Sequence, residues 1–202
     1  MFFKFERDEN LINIVNKLPE NEVVAKEILE QLGNKTTKIE KDVSITSSFY
    51  VDLKDTIYLA DNERNNKGVS RICLIAHECR HSVQSKVLQK LNFILSNLEL
   101  IAFIVIAILL LFFFDHKALF LGYIIFDFIS FIPRLILETD AVFASSKIAK
   151  EYLLNKVTKE EAEKLEIVYK KSTRGIMFFL FILNLMVGRI IRGIIMSIIY
   201  VI

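Results

Sequence analysis

The chain of 202 residues is short of cysteine (two), proline (two), glycine (six) and histidine (three), and its charges nearly cancel. Lys and Arg number 26 against 24 Asp and Glu, a formal net charge of +2. There is no repeat, low-complexity tract, Gly-rich phosphate loop or nucleic-acid-binding motif, so no nucleic-acid partner is expected. Cys73 and Cys79 lie six residues apart on one expected helix, poorly placed to bridge each other. They suit a reducing compartment, and no chemistry is assigned to them. Met1–Arg7 leads into charged sequence, not an apolar core, so no signal peptide is expected there.

What the chain does have is long apolar runs. Hydrophobic residues make up 53% of it, with 17 Phe, and they are unevenly spread. Residues 1–90 read as soluble sequence rich in Lys, Glu, Asp and Asn. Phe93–Phe114 (FILSNLELIAFIVIAILLLFFF) then has the length that crosses a bilayer as a helix, and Ala118–Leu137 is a second crossing with Pro133 near its end. A third segment, Ile176–Ile202, is apolar except for Asn184, Arg189 and Arg192. Several polar groups lie inside these runs, among them Glu99, Asp127, Asn184, Arg189 and Arg192, and buried membrane charges are usually paired or line a wet cavity. Arg189 and Arg192 share a helical face, and pairing with Asp127 or Glu99 is their expected role. A substrate carboxylate or the membrane surface are the alternatives.

Two of the three histidines fall in "RICLIAHECRHSVQSK", residues 71–86. Four residues of α-helix turn through about 400°, so His77 and His81 emerge from one face about one turn apart. Two imidazoles so placed can share a tetrahedral zinc, with Glu78 beside a water on the metal as general base. No Pro or Gly interrupts Val69–Leu91, and Gly68-Val69-Ser70 can open the helix. A zinc that works on substrates needs a third protein ligand and an open fourth position.

The third histidine is not expected to supply that ligand. Asp115-His116-Lys117 is the only break between the first two apolar runs, which must fold into an antiparallel hairpin. His116 is then about 30 Å from the His77 helix, across the membrane. The chain returns at "LETDAVFASSK", where Glu138 and Asp140 appear. A carboxylate is a good oxygen donor to complete a His–His–Glu site. Residues two apart on a helix point to nearly opposite faces, so only one of the two can face the metal.

Upstream, "SFYVDLKDTIYLAD" (48–61) reads as strand, turn and strand. A short edge strand beside the histidine helix is what an extended peptide needs for main-chain pairing, although the hairpin can equally be packing alone.

Taken together, "SFYVDLKDTIYLAD", "AHECRHSVQ", two hydrophobic helices and "ETDA" resemble the YugP-like neutral zinc metallopeptidases, small membrane proteins of gluzincin-type design. That resemblance covers most of the chain after about residue 25. It implies His77 and His81 as metal ligands, Glu78 as catalytic base and Glu138 as third ligand. Arg80 stands where the family motif has a small residue and Ser82 where it has Ala. Val142 occupies the place of the supporting Asp of the wider gluzincin pattern, a role then expected of Asp140 in the second shell of the metal.

The expected fold is a mainly α integral membrane protein with a small α+β zinc-peptidase domain. Its parts are a soluble region (1–92), a transmembrane hairpin (93–137), cytoplasmic helices (138–175) and a C-terminal membrane helix (176–202). Residues 138–175 carry eight Lys and Arg and residues 1–90 carry fourteen, against one in the 115–117 loop, which puts the metal site on the cytoplasmic side. The expected activity is Zn2+-dependent hydrolysis of membrane-associated or amphipathic peptides. The alternative is a non-catalytic membrane interaction or immunity protein with a structural metal site.

Overall fold

The computed structural model describes residues 6–62, 66–112 and 117–201. His116, and with it the turn of the expected hairpin, lies outside the described residues. In chain order the elements are α1 (Glu9–Val15), α2 (Asn21–Gln31), β1 (Lys38–Asp42), β2 (Phe49–Val51) and β3 (Thr56–Ala60). They continue with α3 (Arg71–Ser82), α4 (Lys86–Phe112), α5 (Lys117–Leu154), α6 (Lys159–Ser172) and α7 (Ile176–Val201). The described residues are mostly helical, with one small sheet among them.

The chain divides into two compact units. The first comprises Met1–Gln84 and Thr139–Met177. Asp8 caps α1 by accepting from Asn10 N–H at 3.0 Å, and Thr158 and Glu161 form a reciprocal capping box at the start of α6. Gly33, at φ +73°, ends α2 in the left-handed conformation that glycine adopts without a Cβ clash, and directs the chain to Asn34. The core of this unit joins Leu11, Val15, Val24 and Ile28 to Ile57, Leu59, Ile72 and Ile75, and to Tyr152, Leu153, Leu165 and Tyr169. Fully burying each such side chain contributes roughly 1.5–3 kcal/mol. The stretch 147–174, whose pattern suggests a solvated surface hairpin, therefore supplies one wall of the core. Most of its charges lie on the outer face, and the buried Glu166 is paired by Lys150 and Lys170.

The sheet has the order β1-β3-β2. β2 and β3 are the antiparallel pair read from the sequence, joined by a 3-10 turn at Asp52–Lys54 and by Asp55 at φ +45°. β1 is an addition. It pairs parallel with β3, and its sequence KIEKD hides it, because an exposed edge strand needs no alternating apolar face.

The uninterrupted helix expected over 69–91 is two helices. α3 ends at Ser82, whose hydroxyl donates to Cys79 O at 2.8 Å and accepts from Asn34 Nδ2 at 2.9 Å. Val83 and Gln84 turn tightly, bonding back to Arg80 O and His81 O. Ser85 then starts α4, its carbonyl accepting from Gln89 N. Serine hydroxyls compete with the helical ladder, so Ser82 and Ser85 break it without Pro or Gly.

The second unit comprises Ser85–Glu138 and Phe178–Ile202. α4, α5 and α7 are 27, 38 and 26 residues long, each long and apolar enough to cross a membrane, which takes about 20 helical residues. α5 continues unbroken past Pro133 to Leu154. The outer faces expose Ile101, Ile104, Ile108, Phe128, Phe179 and Ile194, while Glu99 and Arg189 are buried. Arg192 binds both oxygens of the fully buried Glu99, at 3.0 and 2.7 Å, and Tyr123 donates to Glu99 Oε1 at 2.8 Å. Arg189 donates to Asp127 Oδ1 at 2.6 Å and Ser130 Oγ at 2.7 Å. Two arginines thus meet two carboxylates, the pairing expected of charges on apolar helices. Asn184 is exposed.

Candidate metal centre

α3 places His77 and His81 one turn apart, ring centroids 4.7 Å from each other and planes at 87°. Their Nε2 atoms are 3.1 Å apart. Zinc–nitrogen bonds of about 2.0–2.1 Å at a tetrahedral angle separate two donors by about 3.3 Å, close to the spacing of these two nitrogens. Glu138 is the third candidate donor. It ends the first segment of the second unit, one peptide bond from Thr139 in the unbroken helix α5. One ligand atom from each of His77, His81 and Glu138 lies within 4.8 Å of the others. Two imidazoles and a carboxylate are a donor set that suits zinc.

Glu78 follows His77 on the helix and accepts at Oε2 from the backbone N–H of Tyr50, 2.9 Å away. Tyr50 sits opposite Ile57 in the antiparallel pair, on the edge strand of the sheet. The carboxylate is thereby held against the strand, not directed into solvent.

Asp140 takes a different part from Glu138. Arg80 donates to it twice, Nε to Oδ2 at 2.8 Å and Nη2 to Oδ1 at 3.2 Å. Gln84 Nε2 also donates to Oδ2, at 2.7 Å. A supporting carboxylate at Asp140 is expected to bond a ligand histidine or a neighbouring backbone group. The observed link is indirect, because Gln84 stands between them and joins His81 Nδ1 through Oε1 at 2.8 Å. Arg134, one turn before Glu138, approaches Glu138 Oε1 at 4.0 Å.

The two cysteines stand apart from this chemistry. Burial pushes the Cys73 thiol up to about 11, against a lesser opposing effect of its contact with Ser145 Oγ at 3.4 Å. Burial raises Cys79 further still. Neither provides the thiolate that a soft metal ligand or nucleophile requires.

The backbone N–H of Tyr50 and the side chains of Gln84 and Arg80 are participants that the motif alone leaves unassigned. Gln84 closes the "AHECRHSVQ" stretch three residues after His81, but its orientation depends on the turn that ends α3. Comparison with protein-family models, with curated proteins and with solved structures returns no match.

Proposed function

We propose that this chain is an integral-membrane zinc metallopeptidase that hydrolyses membrane-associated or amphipathic peptides, with its metal site on the cytoplasmic side. The observation that carries the reading is the meeting of His77, His81 and Glu138 within 4.8 Å, with Glu78 next to the first histidine. The resemblance to YugP-like metallopeptidases points the same way.

His77 and His81 would hold the zinc through imidazole nitrogen and Glu138 through a carboxylate oxygen. Zinc, when bound, supplies a Lewis acid that acidifies water and polarises a scissile carbonyl. Glu78 is the proton acceptor, taking a proton on its carboxylate and passing it to the leaving amine. The Tyr50 N–H fixes that carboxylate in place. An extended peptide laid along the edge strand β2 would present its backbone beside the base.

A purely structural metal site is the competing reading, and it calls for four protein ligands. Among the described residues the cluster has three, while Asp140, the neighbouring carboxylate, is engaged by Arg80 and Gln84. That supports a position left for substrate and water. Three long apolar helices support membrane insertion, and the eight Lys and Arg of 138–175 support the sidedness. The direct test is cleavage of amphipathic peptides by the purified protein in lipid vesicles. A chelator should stop it and zinc should restore it. Cleavage that survives complete zinc removal contradicts the proposal.

A further inference from the structure

The polar chain running from Arg80 through Asp140 and Gln84 to His81 has a consequence for the imidazole. We infer that Gln84 is a positioning residue that fixes the tautomer of His81, so that Nε2 is the atom offered to the metal.

Arg80 is a permanent cation with donors only, and it grips both oxygens of Asp140, at 2.8 and 3.2 Å. Both oxygens of Asp140 accept from Arg80, so this carboxyl presents acceptors to its other neighbour. The Gln84 atom 2.7 Å from Asp140 Oδ2 must therefore be the amide nitrogen. With Nε2 turned to Asp140, Gln84 turns its carbonyl oxygen to His81. That oxygen has no proton to give, so the Nδ1 of His81, 2.8 Å away, must carry one. A neutral imidazole protonated at Nδ1 has its lone pair at Nε2. His81 Nε2 is the nitrogen that lies 3.1 Å from His77 Nε2.

Arg80 thereby acquires a role. The large cation that departs from the motif's small residue orients the carboxylate on which the amide depends. Gln84 lies beyond the end of α3, in the turn closed by Gln84 N to His81 O at 3.3 Å. That turn folds the side chain back to the ring of the residue three positions before it. The role of the tautomer in metal binding rests on the metallopeptidase reading, but the tautomer itself does not.

Nitrogen-15 NMR of the histidine side chains in the metal-free, full-length protein at alkaline pH reads the tautomer directly. The expected spectrum has His81 protonated at Nδ1 and His77 donating from Nε2. Gln84→Met keeps the bulk and removes the amide. It should shift His81 towards a tautomer mixture and weaken zinc binding by about 10- to 100-fold, as for other groups that orient a ligand. Gln84→Glu alone sets two carboxylates against each other and should also weaken zinc. Gln84→Glu with Asp140→Asn restores one acceptor towards His81 and one donor between the pair, and should recover most of the affinity. An unchanged His81 tautomer with unchanged zinc affinity in Gln84→Met overturns the inference. Equal losses in Gln84→Glu and the double variant overturn it too, because they indicate a merely structural role. If the wild type binds no zinc, the metal reading fails, and the metal-free spectrum still decides the role of Gln84.

Discussion

Arg80 and Asp140, 60 residues apart in sequence, form a two-pronged ion pair beside the histidines, whereas Glu138, two residues before Asp140, turns its carboxylate towards them. Helical geometry separates the two acids by about 200° and gives them different tasks. Glu138→Ala should lower zinc affinity severely, because it removes a donor. Asp140→Ala should cost about 10- to 100-fold, because it only releases Gln84 and Arg80. Zinc titrations of both variants check this, and near-normal affinity for Glu138→Ala with a collapse for Asp140→Ala reverses the assignment.

The histidine pair makes a simpler demand. Purified protein should carry about one zinc per chain, and either His77→Ala or His81→Ala should remove it. Elemental analysis after dialysis measures the ratio. His116→Ala should leave it unchanged, since the motif assigns that residue no part in the site. Full zinc occupancy in both α3 variants would falsify the site.

Glu99 and Arg192 test the pairing inside the apolar helices. Glu99→Leu leaves a guanidinium without its carboxylate and should destabilise the protein by about 3–5 kcal/mol, as for other broken buried pairs. Glu99→Leu with Arg192→Met should recover most of that loss, because the charge left alone is gone. Thermal unfolding in detergent compares the single and double variants. Additive losses would show that the two residues do not act as a pair.

Membrane sidedness is open to thiol labelling, with little background from Cys73 and Cys79, which are buried and protonated. Lys117→Cys should react with an impermeant maleimide in intact cells. Glu163→Cys, exposed on α6, should react only after the membrane is opened. The opposite pattern puts the metal site outside.

Much of this arrangement is legible in the sequence because it is local or periodic. Histidines four apart need only a helix to meet, and three apolar stretches announce their length directly. The β2–β3 hairpin is legible for the same reason, its strand-formers lying on either side of a turn. Topology returns Glu138 and Asp140 together after the three-residue break, and only the family resemblance points to Glu138 between them. The remaining features depend on contacts between distant segments. β1 is a charged edge strand whose pairing comes from β3. The end of α3 depends on Asn34 reaching Ser82, and the core-facing side of 159–172 depends on α1 and α3. Arg80 looks like a blemish in the motif until its partner 60 residues later is known.

The central claim is that Glu78 moves a proton in a zinc-dependent hydrolysis, and Glu78→Gln tests it most directly. The measurement is the rate of peptide cleavage by wild type and variant, at matched zinc content and matched folded fraction. The amide keeps the size of the side chain and an oxygen for the Tyr50 N–H but cannot accept the proton. The rate should fall by at least about 10²-fold with zinc still bound. Cleavage at the wild-type rate by the zinc-loaded variant would contradict the account.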